Sequence, residues 1–235
     1  MFDKTEAYYD AIYSWKDYKG ESERIRAIVA ERKRSPGRDL LDVACGTGGH
    51  IPYLKDHFDL TGVDLDPVMV EIARRRAPGM RFHIADMASL DLGRRFDVVA
   101  CLFSSIGYMR TPDRLAQAIA AMARHVAPGG VLLVAPYFTP ERWDMTRRPA
   151  KPMLVDRPDL QIVRMIDWWR EGDVIISDFH YLIGTREGVQ HLTERHEMGL
   201  FRVEDIKSAF VDAGLDVEHD ANGLMGRGLY IGTTR

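Results

Sequence analysis

Apolar and polar positions follow two different rhythms along this chain. Between residues 40 and 135, short apolar runs at 40–43, 60–63, 81–84, 96–102 and 131–135 alternate with longer segments. Short runs bounded by turn residues read as strands, and the segments between them as helices. Strand–helix–strand alternation of this kind indicates a parallel sheet. The run at 96–102 is apolar almost throughout, as for a central strand covered on both faces. Helices are expected over 69–75 and 112–125.

After residue 137 the rhythm changes. Segments 162–169, 174–183 and 189–200 read as antiparallel strands, joined by polar, glycine-containing turns at 170–173 and 185–188. The stretch 142–158 is rich in proline and charge and reads as an irregular excursion. A helix at 203–213 stops at Gly214, and strands at 215–218 and 229–233 close the chain. At the other end, 5–18 reads as a helix in which Tyr9 and Tyr13, four apart, share a face. Gly20 is the expected C-cap. A second helix over 21–34 carries Ile25, Ile28 and Val29 as its buried stripe, and Ser35-Pro36-Gly37 breaks it. The tyrosine-bearing helix is either a docked core element or a lid whose phenols face a site.

At 235 residues the expectation is one enlarged domain, 1–235, with 1–34 as an N-terminal helical lid and 137–200 as an inserted antiparallel β subdomain. A net charge of −3 argues against electrostatic binding of nucleic acid. No apolar run has the length to cross a membrane, and no basic-then-apolar leader is visible. Cys45 and Cys101 are the only cysteines, with no Cys-x-x-Cys spacing. That pair suits a reducing cytoplasm and provides no metal site. Both read as small buried residues at strand ends.

The chemistry gathers at residues 40–50. A strand runs into Ala44, Cys45, Gly46, Thr47, Gly48 and Gly49, and a helix is expected from about His50. Glycine serves there because a tight strand-to-helix turn uses positive φ and admits a ligand close to the backbone. Such a turn is either an ordinary connection or an anion-binding bend. Asp64 lies 18 residues after Gly46, at the tip of the second strand. A carboxylate there can accept hydrogen bonds from both hydroxyls of a ribose. It could instead cap the next helix, but Asp66 before Pro67 suits the cap better and leaves Asp64 available. Residues 103–108 follow the central strand, at the sheet edge where ligands of open α/β sheets lie.

Residues 40–49, Asp64, and Ala85-Asp86-Met87 resemble the class I S-adenosylmethionine-dependent methyltransferases. That resemblance implies a Rossmann-like α/β fold: a seven-stranded, mostly parallel sheet with helices on both faces, plus an antiparallel β insertion after strand five. It also implies S-adenosyl-L-methionine as cofactor, held by Ala44, Gly46, Gly48, Asp64, Leu65, Asp86, Met87 and Phe103.

A closer resemblance rests on Tyr9 through Tyr13, on Lys16-Asp17-Tyr18, on Phe103-Ser104-Ser105-Ile106-Gly107-Tyr108, on His125 with Pro128-Gly129-Gly130, and on Gly226-Arg227-Gly228-Leu229. Together these look like the N,N-dimethyltransferases of amino-sugar biosynthesis in desosamine and mycaminose pathways. The implied reaction is N-methylation of a nucleotide-linked deoxyamino sugar. Tyr13 and His125 would lie beside the sugar amine, and Tyr18 would help to close the cofactor site. Tyr9, Ser104, Ser105, Tyr137 and Arg227 would meet the acceptor. On local sequence alone, a helix-end histidine interacting with the helix dipole is the favoured reading of His125 over a catalytic one. Departures from the family fall around the acceptor. Ala135-Pro136-Tyr137-Phe138 replaces an acid followed by Pro-Trp-Trp, Gly49 stands where threonine is common, and 147–152 is unusually basic. The insertion is long enough to form either a platform or a homodimer surface. Methylation of another small molecule, or cofactor binding without turnover, are the alternatives.

Overall fold

The computed structural model of the chain describes residues 5–143 and 151–234. A 3-10 turn at Glu6–Tyr8 leads into the short helix α1 (Tyr9–Ile12), and the chain then breaks at Tyr13. Helix α2 (Tyr18–Arg32) starts early, because the Asp17 carboxylate accepts from the Gly20 N–H at 2.8 Å. The expected single helix over 5–18 is therefore two short pieces. Gly20 lies in the first turn of α2 rather than ending a helix, since a capping aspartate fixes the start.

The chain continues through β1 (Asp39–Val43), α3 (Ile51–Leu54), β2 (Asp59–Asp64), α4 (Pro67–Arg76), β3 (Arg81–Ile84), β4 (Phe96–Cys101), α5 (Pro112–Arg124) and β5 (Val126–Val134). The inserted strands are β6 (Met153–Arg157), β7 (Leu160–Glu171), β8 (Val174–Thr185) and β9 (Gly188–Gly199). Helix α6 (Val203–Asp212), β10 (Leu215–Asp220) and β11 (Leu229–Thr234) complete it. Strand β6 falls inside the stretch expected to be irregular. It is an edge strand between Pro152 and Pro158 with Val155 as its buried residue, too short for its alternation to register.

The main sheet has the order β10-β11-β5-β4-β1-β2-β3. Strands β1 to β5 are mutually parallel, and β11 runs antiparallel between β5 and β10. The parallel pairing is the one the alternation indicates, and the seven-stranded, mostly parallel sheet is the one the resemblance implies. The order reverses at β1, with β2 on one side and β4 on the other, which opens a crevice at the carboxyl ends. Period-two alternation sends Leu41, Val43, Val99, Cys101 and Leu132 toward α5 and α6. It sends Leu40, Leu60, Val98, Ala100 and Val131 toward α2, α3 and α4. All six residues of β4 are buried, as its unbroken apolar run implies.

The second sheet, β6-β7-β8-β9, is antiparallel throughout. Its inner face packs Val155, Ile162, Tyr181 and Ile183 against Tyr9, Ile12 and Tyr13. Complete burial of Ile162 and Ile183 stabilises this seam by ~1.5–3 kcal/mol each. The N-terminal segment is thereby held between the insertion and the carboxyl edge of the main sheet.

Gly129 ties the opposite edge together. Its φ is +75°, its carbonyl accepts from Arg34 and Ser35 N–H groups, and its N–H donates to Thr234 Oγ1 at 2.7 Å. A Cβ there would come 2.9 Å from the Ser35 nitrogen. Gly129→Ala should lower unfolding free energy by ~1–3 kcal/mol in a urea titration with the fold retained.

Candidate functional site

Strand β1 delivers the chain into a bend with three positive φ values, at Ala44 (60°), Gly46 (55°) and Gly48 (76°). A Cβ on Gly46 would meet nothing, so this side of the bend faces open space. Gly49 is different: a Cβ there would strike the Tyr18 ring, which lies on the bend from α2. The helix beyond is a single turn, α3, so it offers no long dipole.

Asp64, at the end of β2, accepts from the Gly46 N–H at 2.7 Å and from the Asp66 N–H at 3.0 Å. Asp66 caps α4, accepting from Val68 and Met69 N–H groups. Asp66 is thus the cap, as read from sequence, while both Asp64 oxygens accept from backbone N–H groups. Burial, opposed by the Asp66 and Gly46 hydrogen bonds, pushes the Asp64 carboxyl up. Asp64, Ala44, Gly46, Leu65, Asp86 and Met87 line one cavity of about 100 Å³. Despite the cost of its partial burial, the Ala88 N–H and the Arg114 guanidinium at 2.7 Å hold Asp86 below the usual carboxylate range.

A smaller void of about 30 Å³ lies under the bend, between Tyr18, Asp42, Gly49, His50 and Phe103. Asp42 is buried; burial and the nearby Asp64 charge push its carboxyl up to about 7. Behind Tyr18, Lys16 pairs with buried Glu21, and Glu21 also meets His50 Nε2 at 2.9 Å. The Lys16 ammonium stands over the Tyr18 and Phe103 rings at 4.7 and 4.6 Å.

A third cavity, about 370 Å³, opens between the loop after β4 and the inserted sheet. Its walls are aromatic: Tyr13, Tyr137, Phe138, Trp143, Trp168 and Phe179. Arg142, Arg164 and Arg227 supply positive charge. Arg227 Nη1 donates to Ser104 Oγ at 3.2 Å and covers the Phe138 ring at 4.5 Å; Ser104 Oγ donates in turn to the Pro136 carbonyl. Phe103 and Ser104 both hold left-handed backbone, with φ of 53° and 65°. Strained L-residues at a sheet's carboxyl edge concentrate where ligands are held. Tyr9 and Ser105 line all three cavities, and Tyr108 lines the two larger ones.

Of the residues singled out from sequence, Tyr9, Tyr13, Tyr18, Ala44, Gly46, Asp64, Leu65, Asp86, Met87, Phe103, Ser104, Ser105, Tyr137 and Arg227 converge on these voids. Gly48 shapes the bend without lining a cavity. His125 does not belong with them. It ends α5 at the amino-terminal edge of β5, opposite the crevice, and is 2% exposed. Its Nδ1–H donates to the Ala121 carbonyl at 2.7 Å, and its Nε2 accepts from the Leu92 N–H at 2.9 Å. Both ring nitrogens are thus engaged in holding a loop. Of the basic stretch 147–151, residues 147–150 lie outside the described residues.

Sequence reasoning missed the residues contributed by the insertion. Arg164, Ile166 and Trp168 alternate along β7, so all three face the cavity, as do Ser177 and Phe179 on β8 and His196 and Met198 on β9. Polar residues at period two on an otherwise inward face were the available signal. Asp42, an acid inside an apolar strand, was a second. No group of three or more His, Cys, Asp or Glu side chains with metal-binding geometry occurs among the described residues. No helix among them has the length and apolarity to cross a membrane.

Residues 40–130 match a family model described as a methyltransferase domain. The chain is 39% identical over 229 residues to the dTDP-3-amino-3,6-dideoxy-alpha-D-glucopyranose N,N-dimethyltransferase of Streptomyces fradiae, covering 95% of this chain and 88% of that one. Its fold superposes on Streptomyces venezuelae DesVI with a TM-score of 0.91, at 34% identity and full coverage of both chains. It superposes on CalS10 from Micromonospora echinaspora, an amino pentose methyltransferase solved with S-adenosylmethionine bound, with a TM-score of 0.85 at 32% identity, covering 100% and 98% of the two chains.

Two outcomes follow from the geometry. His125→Ala strips the Leu92 N–H of its acceptor and should cost ~1–3 kcal/mol in a denaturant titration, with turnover of the folded fraction changed by less than about twofold. Asp42 titrates with the opposite sign from most carboxylates. Its folded pKa, about 7, lies above its ordinary 3.8, so its contribution is intact below the lower value and is lost as pH rises through the upper one. The free protein should therefore lose melting temperature between those two pH values. Asp42→Asn should flatten that slope in a pH series of thermal melts.

Proposed function

The chain belongs to the class I S-adenosylmethionine-dependent methyltransferases, in the group of the dTDP-amino-sugar N,N-dimethyltransferases, and from that premise we propose that it methylates the amine of a nucleotide-linked deoxyamino sugar. The observation that carries this reading is the run of adjoining cavities. Two lie along the glycine bend and Asp64, and the third is an aromatic and arginine-lined chamber sharing Tyr9 and Ser105 with them.

The residues along the bend suit the cofactor by their chemistry. Asp64 offers carboxylate oxygen to ribose hydroxyls, Asp86 offers an acceptor toward an adenine amine, and Leu65 and Met87 offer apolar surface to the ring. Under the bend, Asp42 and the backbone around Gly46 face the space suited to the methionine portion, with Tyr18 and Phe103 as its cover. When bound, the cofactor supplies a sulfonium-activated methyl group. All other work falls to the protein.

That work is placement and exclusion of water. An amine lone pair must stand in line with the breaking bond at ~3 Å. Burial raises the Tyr13 phenol above its ordinary pKa, despite Arg164 beside it. Tyr13 therefore stays a neutral phenol at neutral pH and orients the amine by hydrogen bonding rather than by taking its proton. Arg227 and Arg164 offer charge-assisted bonds to a diphosphate, and Tyr137, Phe138, Trp143 and Trp168 offer stacking surface to a base. In this reading the N-terminal helical segment up to residue 34 acts as the lid, and the inserted sheet forms the acceptor's roof.

The same reading places the enzyme in the cytoplasm, where Cys45 and Cys101 stay thiols, and in antibiotic biosynthesis. A homodimer is supported by Leu154, Met165, Leu182 and Val189, exposed apolar side chains on the outer face of the inserted sheet.

Purified protein should transfer methyl groups from S-adenosylmethionine to dTDP-3-amino-3,6-dideoxyglucose, read by mass spectrometry of the product. It should also bind dTDP alone in calorimetry. Absence of both, with cofactor binding intact, would exclude this acceptor class.

A further inference from the structure

An amino sugar reaches an enzyme at neutral pH largely as its ammonium form, which has no lone pair to offer. With His125 on the far side of the sheet and Tyr13 a neutral phenol, that proton needs another destination. Resting on the methyl-transfer reading above, we propose that His196, reached through the Tyr108 hydroxyl and held by Glu194, is the positioning residue that receives the acceptor's proton.

Tyr108 stands at the junction of the donor-side cavity and the acceptor chamber, lining both. Its Oη lies 2.8 Å from His196 Nδ1. His196 is 3% exposed and also lines the chamber. Burial, partly opposed by Glu194, lowers its pKa, so the imidazole is neutral and can accept. With the Tyr108 O–H donated to Nδ1, the ring proton occupies Nε2, which faces Glu194 Oε2 at 3.7 Å. Glu194 is also 3% exposed, and its two oxygens accept from the Thr5 N–H at 2.9 Å and the Thr5 hydroxyl at 2.8 Å. Thr5 is itself fully buried, so the N-terminal segment clamps the carboxylate in place.

The charged and titratable groups facing the imidazole among the described residues are Tyr108 after β4, Arg164 on β7 and Glu194 on β9; Tyr13 and Tyr181 stand next to Arg164. Arg164 disfavours the imidazolium and Glu194 favours it.

The transfer balances. One ammonium N–H bond breaks and its proton joins Tyr108 Oη, while the original Tyr108 proton moves to His196 Nδ1. The nitrogen keeps the electron pair that then attacks the methyl carbon. The imidazolium faces the Glu194 carboxylate until it releases its proton to solvent. A second methylation repeats the step, because the monomethylated product is again an ammonium.

The test is the pH dependence of kcat for His196→Gln with a dTDP-3-amino sugar and S-adenosylmethionine. Glutamine can still accept from Tyr108 but cannot take a proton. The variant should lose ~10- to 100-fold at about pH 6.5. The deficit should shrink to less than about threefold near pH 9.5, where the amine is neutral in solution. Tyr108→Phe should show the same slope. Equal loss at every pH, or less than about twofold loss at the lower one, would overturn the proposal. Should His196→Gln lose calorimetric cofactor binding, Glu194→Gln, which keeps acceptor oxygen toward Thr5, takes its place. A ~3- to 10-fold deficit confined to low pH then supports the proposal, and a pH-independent one overturns it. The wild-type enzyme separates the two readings: a wild type inactive on every nucleotide amino sugar removes the acceptor assignment itself, whereas an active wild type beside a pH-independent variant removes only the relay.

Discussion

The Asp64 carboxylate is the joint on which the site turns. Its two oxygens reach the Gly46 N–H from one strand end and the Asp66 N–H from its own. That fixes the glycine bend against β2, at the place where the strand order reverses. A half-buried carboxylate with two backbone donors is a rigid group, since moving it would leave it and both N–H groups unsatisfied. The start of α4, the floor under the bend and the open side of Gly46 all take their positions from it.

The large acceptor chamber depends on that joint indirectly. The main sheet provides one wall, through the strained backbone at Phe103 and Ser104. The inserted sheet provides the other, through alternate residues of β7, β8 and β9. Between them lies the N-terminal segment, whose Tyr9 and Tyr13 rings pack 4.6 Å apart and reach Phe103. The chamber is therefore assembled from three stretches distant in sequence. A local change in any one would be felt at the other two.

This assembly explains what could be read from sequence. The parallel core was legible because its apolar runs are short, fully buried and separated by helices of ordinary length. The bend and Asp64 were legible because a tight turn and a strand-end carboxylate leave local marks. Strand β6 was not, because one buried residue between two prolines carries no periodicity. The break between α1 and α2 was hidden because Asp17 caps a helix inside a polar stretch that also resembles a helix end. His125 was misassigned through resemblance, while the bland alternative of a helix-end histidine lay closer to its surroundings. Sequence cannot tell which edge of a sheet a residue meets unless the strand order is known. His196 and Arg164 were missed for the same reason: their role arises from an inserted sheet folding back over the core.

The contact between Gly49 and Tyr18 limits how this protein can be recombined with its kin. The phenol occupies the space that a β-carbon at position 49 would fill. A homologue with threonine in the bend must seat its aromatic cover differently, so bend and cover form one heritable unit. Chimaeras that exchange the bend without α2, or α2 without the bend, would bring together halves shaped for different neighbours.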